Sequence, residues 1–206
     1  MNMKNHYKMG RRICAEMAAN DMPLKKAGFM LGNLAPDLCL SFVIRPHLYA
    51  LTAFNIQKLL ARLCRGGNPR SAGFSFRLGV LTHYICDSFC YSHSPAFKGG
   101  TRAHVRYERR QRAEFQTMPL LTGPKGMAVG LKRMLRDLEA AIHSHNTQLE
   151  QDVQAAAADI PLAVDMATRA AFTAYLSSAA HRNFGENWLM ESGGETAEQY
   201  IGVSAD

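Results

Sequence analysis

The feature that most limits what this chain can become is the spacing of imidazoles and acids in residues 79–108, GVLTHYICDSFCYSHSPAFKGGTRAHVRYE. His83 and Asp87 stand four apart, His93 follows, and His104 and Glu108 again stand four apart. On a helix, residues i and i+4 share a face with Cβ atoms about 5–6 Å apart. An imidazole and a carboxylate so placed can close on one cation, because zinc bonds to nitrogen and oxygen are about 2.0–2.2 Å long. A single His-x3-Asp pair ordinarily reads as a capped or salt-bridged helix face. Here Leu78, Val80, Leu81, Ile85 and Phe89 make the segment apolar over much of its circumference, so a buried helix is expected. Burying an Asp and a His without partners costs several kcal/mol. A cation removes that cost by pairing with the carboxylate and taking the lone pair of a neutral imidazole. With the second pair added, His83, Asp87, His93, His104 and Glu108 are read as a metal-binding centre.

The rest of the chain suits that reading. Its 206 residues match one domain with a sizeable core. A mean hydropathy of −0.18 is ordinary for a water-soluble protein, and no apolar run approaches the roughly 18 residues of a membrane span. Residues 1–17 carry charge but no apolar stretch and no small-residue cleavage site, so no signal peptide is expected there. The five cysteines (Cys14, Cys39, Cys64, Cys86, Cys90) are odd in number and form no C-x2-C pair, which argues against a disulfide framework or a four-cysteine zinc site. Cys86 and Cys90, flanking Asp87, are expected to be small core residues rather than thiolate ligands. A reducing, cytoplasmic setting follows. The net charge of +7 favours anionic partners: phosphate esters, nucleic acid or an anionic lipid surface. Part of that excess, Arg102, Arg106, Arg109, Arg110 and Arg112, lies beside the metal candidates.

Apolar periodicity and breakers predict helices over 5–19, 23–33, 50–65 and 72–91, and a further one from Thr101 carrying His104 and Glu108. Pro36 ends helix before Asp37, residues 38–49 are irregular, and 92–100 is a loop bearing His93. Two long helices follow, over about 126–157 and 161–182. His143, His145 and His181 lie there without an acidic partner at ligand spacing and are read as surface or satisfied histidines. No stretch alternates with period two. The fold expected is all-α, a single-domain multi-helix bundle with a metal cleft over residues 1–190, followed by a polar, glycine-rich, flexible tail over 191–206.

The order of these residues resembles the zinc-dependent phospholipase C family, related in fold to the P1-type nucleases. The resemblance rests on Ala35-Pro36-Asp37, on Leu78-Gly79 leading into His83-Tyr84-x-x-Asp87, on His93, and on His104-x-x-x-Glu108. It implies an α-helical domain whose cleft holds zinc ions. His93, His104 and Glu108 would hold one; His83 and Asp87, with His47, a second; and a third would share Asp87 and take His6. Asp37 would be the carboxylate that orients or deprotonates the attacking water. Secreted members complete the third site with the amine and carbonyl of an N-terminal tryptophan. The present sequence opens on Met1 and its one tryptophan is Trp188, so two ions are as compatible as three.

The reaction expected is zinc-dependent hydrolysis of a phosphodiester, with a phospholipid head group as the leading substrate and contact with a membrane surface as a corollary. Two alternatives stand beside it. One keeps the metals and makes the substrate nucleic acid or a nucleotide, as in the nuclease relatives; the other is a non-catalytic helical protein stabilised by its ions.

Overall fold

The helix at the centre of the molecule is the one that carries His83 and Asp87. In the computed structural model, which describes residues 1–38, 49–114 and 129–184, the elements in chain order are seven α-helices and two 3-10 turns. They are α1 (Met3–Ala19), α2 (Lys26–Leu38), α3 (Tyr49–Cys64), α4 (Ala72–Ser88), the turn Tyr91–His93, α5 (Thr101–Glu114), α6 (Leu131–Gln151), the turn Val153–Ala158 and α7 (Asp159–Phe184). No strand occurs among the described residues, and the all-α expectation holds. None of these helices is long and apolar enough to cross a membrane.

Ser71 opens α4 by accepting a hydrogen bond from the Phe74 amide at 3.1 Å, satisfying one of the free donors of the first turn. From Leu78 to Ser88 nearly every side chain of α4 is buried. It packs against α2, α3 and α7, and only an element surrounded on several sides buries so much of its circumference. The closest of these contacts is with α2, and two glycines make it possible. A Cβ on Gly32 would overlap the Phe76 carbonyl oxygen, and one on Gly79 would overlap that of Phe29. Gly28 lies against Ala72, Gly32 against Phe76 and Asn33 against Gly79 and Thr82, so the two helices run parallel, with the last turn of α2 beside His83 of α4. On the other side, α7 presents Ala163, Ala167, Ala170, Ala171 and Ala174, all fully buried, a small-residue face that lets neighbouring helices approach closely. Phe29, Phe74, Phe89 and Phe172 fill the spaces between helices; truncating one of them to alanine would cost about 3–5 kcal/mol.

Several boundaries differ from expectation, among them the start of α2 at Lys26 rather than residue 23. α2 runs through Pro36 to Leu38 instead of stopping at Gly32-Asn33, so Asp37 stands on the last helical turn rather than beyond it. A proline inside a helix costs about 3 kcal/mol, but Pro36 sits near the end, and burial of Phe29, Gly32, Asn33 and Pro36 offsets the loss. α4 ends at Ser88, short of Tyr91, and His93 closes a separate 3-10 turn. The long helix expected to reach 157 ends at Gln151, where the Asp152 carboxylate accepts the Gln154 amide at 2.8 Å and starts a new turn. The stretch expected to be irregular, with Cys39 and His47, lies outside the described residues, as do Trp188 and the tail 191–206.

Candidate metal centre

The parallel pairing of α2 and α4 brings two helix C-termini to one place. The carbonyl ends of helices carry partial negative charge and favour cations. Asp37 stands on the last turn of α2, while His83 and Asp87 occupy the last two turns of α4. The first turn of α1 supplies His6, the 3-10 turn supplies His93, and the first two turns of α5 supply His104 and Glu108. Of the eight sequence-predicted residues, the structure brings these seven together; His47 lies outside the described residues.

Asp87 is the hub. Its Oδ1 lies 3.1 Å from His6 Nε2 and 3.4 Å from His93 Nδ1, and its Oδ2 lies 3.2 Å from His83 Nε2. The His6 and His83 rings stack with centroids 3.9 Å apart, so the carboxylate offers one oxygen to each. Glu108 Oε1 lies 3.0 Å from His104 Nε2 and 3.6 Å from His93 Nε2. His93 thus joins the two carboxylates. Two ligands on one tetrahedral zinc with bonds of about 2.0–2.2 Å stand about 3.3–3.6 Å apart; these pairs, at 3.0–3.6 Å, lie at or just below that separation.

The same distances serve hydrogen bonds, so chemistry has to decide between them. His83 Nδ1 lies 2.9 Å from the Asn33 carbonyl oxygen, an acceptor only, so that nitrogen carries the proton. Nε2 then meets Asp87 either as an imidazolium or with its lone pair, and a lone pair facing a carboxylate needs a cation between them. Burial and the neighbouring His83 push the His6 pKa down to about 3 against the pull of Asp87, leaving His6 a neutral donor of electrons. Its Nδ1 is buried without a hydrogen-bond partner.

The carboxylates are held ionised. Burial raises the Asp87 pKa, but the Met1 ammonium, His93, His6 and His83 outweigh it and hold the group well below the carboxylate range. Glu108 is likewise raised by burial and lowered further by hydrogen bonds from His104 and His93. The Met1 ammonium itself lies 2.6 Å from Asp87 Oδ1, 3.1 Å from Glu108 Oε1 and 2.9 Å from His93 Nε2. Burial lowers its pKa, yet Asp87, Cys90 and Glu108 together carry it to about 12. Two carboxylates and an imidazole gathered on a positive group form a cradle for cations. Ionised acids and neutral imidazoles are the donor set that divalent zinc takes, so the residues fit the ion. Among the described residues, two groups place their ligand atoms within 4.8 Å of one another: His6, His83 and Asp87; and Cys90, His93 and Glu108.

Exposure gives the cluster a direction. His6, His83 and Asp87 are sealed, whereas the Asp37 side chain is 19% exposed and that of His104 32%. Asp37 Oδ1 lies 3.9 Å from His83 Nε2. Among the described residues, Asp37 and His104 are thus the members of the cluster most exposed to solvent. Arg102, Arg106, Arg109 and Arg110, next along α5, are exposed.

The sequence reading passed over several contributors. Asn33, through its carbonyl, sets the orientation of His83 from fifty residues away. Asn5 Nδ2 donates to the Glu108 carbonyl at 2.8 Å. Cys86 and Cys90 are both buried in the core as expected, and the Cys90 thiol also falls beside His93 and Glu108. No spacing rule finds partners so far apart in the chain.

The family model described as Zinc dependent phospholipase C matches residues 5–164 of the 206. The chain belongs to the zinc-dependent phospholipase C family. Neither a curated protein nor a solved structure matches it. Membership makes the protein a zinc-dependent phospholipase-like hydrolase of all-helical fold, and the matched span contains every residue of the cluster described above except Met1.

Proposed function

We propose that the chain hydrolyses a phospholipid at the phosphodiester that joins its head group to the diacylglycerol. His93, His104 and Glu108 hold one zinc ion. His83 and Asp87 hold a second, with His47 assigned to it from the family resemblance. His6, sharing Asp87, takes a third where one binds. When bound, such ions supply a Lewis acid for the phosphoryl oxygens and bring the pKa of a water to near neutrality.

The chain's own residues do the rest. Asp87, presenting its two oxygens to different imidazoles, fixes the separation of the ligand groups. Asp37, half-buried at the open side and free of any requirement to ligate, receives the proton of the attacking water by hydrogen bond. The water oxygen adds to phosphorus, the P–O bond to the diacylglycerol breaks, and the departing alkoxide takes a proton from solvent. The exposed arginines along α5 attract the anionic head group and the lipid surface that bears it.

The observation that carries this reading is the convergence of four imidazoles and two ionised carboxylates on Asp87 and Glu108, in a chain of this family, with Asp37 at the exposed edge. The test is zinc-loaded protein incubated with phosphatidylcholine vesicles and, separately, with single-stranded DNA. Release of a phosphorylated head group and diacylglycerol is the expected result. Cleavage of DNA alone would transfer the chain to the nuclease alternative. Tightly bound zinc with turnover of neither substrate would favour the non-catalytic one.

A further inference from the structure

Asp159 opens α7, is fully buried, and belongs to no part of the site described so far. Its carboxylate is surrounded by donors. Oδ2 accepts the Tyr91 amide at 2.6 Å, the Tyr107 hydroxyl at 2.5 Å and Gln111 Nε2 at 3.0 Å. Oδ1 accepts His145 Nε2 at 2.8 Å. His145 is itself buried, so the pair sits wholly inside the protein.

Where those donors come from is the point. Tyr91 opens the 3-10 turn that ends in His93. Tyr107 immediately precedes Glu108, and Gln111 lies one turn further along α5. Both arms of the His93–His104–Glu108 group therefore hang from one carboxylate donated by the C-terminal half of the chain. Gln111 extends the link, lying 3.5 Å from Asn5 Nδ2 and 3.8 Å from Cys90 Sγ through its Oε1. The Tyr91 ring stands edge-on to Tyr107 with centroids 5.4 Å apart, packing turn and helix together at the same place. None of these bonds reaches His6, His83 or Asp37.

A buried carboxylate is an expensive way to fix packing alone, since well-packed apolar residues of similar volume often serve as well. Its use here fits a different need: a single acceptor that ties together separate chain segments at fixed angles. Partners of that kind, lying behind metal ligands, set ligand orientation.

We propose that Asp159 is the positioning residue of the His93–His104–Glu108 half of the centre and sets the zinc affinity of that half alone. The proposal rests on the metal-centre reading above. Its test is the zinc affinity of each class of ion, read by chelator competition, in the full chain and in Asp159→Asn, which keeps the shape of the side chain. A His104→Ala variant identifies the class held by this half. In Asp159→Asn we expect the class lost in His104→Ala to weaken about 10–100-fold, while ions that survive in His104→Ala keep their affinity. Tyr107→Phe, which removes one hydroxyl and still folds if Asp159→Asn does not, should weaken the same class by a smaller factor. Equal weakening of both classes would show general loosening and overturn the proposal, as would unchanged affinities in both variants. Absence of tight zinc from the unaltered chain would instead overturn the metal-centre reading itself.

Discussion

The Nδ1 atom of His83 lies 2.9 Å from the main-chain oxygen of Asn33, across the crossing of α2 and α4. Because the acceptor is backbone, the imidazole takes its orientation from how close the two helices stand, not from any replaceable side chain. The Asn33 side chain secures the same contact by donating to Thr82 Oγ1 at 3.1 Å. The metal chemistry of α4 therefore depends on a packing decision made at two glycines.

Gly79→Ala tests that dependence. The added methyl would overlap the Phe29 carbonyl oxygen and come within 2.6 Å of the Asn33 amide nitrogen, and backbone on a packed helix cannot step aside cheaply. Overpacking of this kind costs about 1–3 kcal/mol or more, and in a chain of this size each kcal/mol lowers Tm by about 2–4 °C. Thermal unfolding should show that fall, with zinc bound more weakly because His83 turns away from Asp87. A variant with unchanged Tm and zinc content would mean that the helices do not touch here.

The metal-free protein should be labile to acid. His6 is held at about 3 in the fold against an ordinary 6.5, so below pH 6.5 the unfolded chain takes up a proton that the folded one refuses. Asp87 and Glu108, both held below their ordinary values, act in the same direction once pH falls through the carboxylate range. All three groups contribute stability that is present near neutrality and lost on acidification. Tm measured from pH 7.5 downward should hold level to about 6.5 and then decline steadily; a rise anywhere between 6.5 and 4 would contradict the assigned environments.

Much of this arrangement was readable from spacing, and the limits of that reading are physical. His83 with Asp87 and His104 with Glu108 were legible because a helix fixes i and i+4 on one face whatever surrounds it. The burial of α4 followed from apolar residues on every side of it. What spacing cannot convey is depth of packing. Pro36 reads locally as a stop, yet α2 continues through it, because burial against α4 outweighs one lost backbone bond. His145 reads as a surface or satisfied histidine without naming its partner; the structure satisfies it through Asp159, which opens the next long helix past a chain reversal that no period announces. Cys90 reads as core by composition, and only the approach of α5 brings its thiol beside His93 and Glu108.

Asp37→Asn separates base from ligand. The amide keeps the size of the carboxylate and its place on the last turn of α2, but cannot receive a proton from water. Turnover should fall by about 10²–10⁴ with zinc content unchanged. Wild-type turnover would remove Asp37 from the reaction, and loss of zinc along with turnover would make it a ligand instead of a base. Steady-state rates and elemental analysis on the same preparation distinguish the three results.

Glu108→Gln should lower zinc affinity and stability together. Glu108 meets His104 at 3.0 Å and His93 at 3.6 Å through one oxygen, and its depressed pKa shows how strongly those positive or donating neighbours favour the ionised form. A neutral amide forfeits that charge. Because zinc binds the fold and not the unfolded chain, whatever affinity is lost appears as lost stability. Each tenfold loss at saturating zinc corresponds to about 1.4 kcal/mol, or about 3–6 °C of Tm in a chain of this length. In the absence of metal the affinity contribution vanishes and only the weakened contacts to His104, His93 and the Met1 ammonium remain; the Tm difference between the two proteins should therefore narrow when zinc is stripped by chelator. A difference that stays the same with and without zinc would place Glu108 in the packing and outside the metal centre.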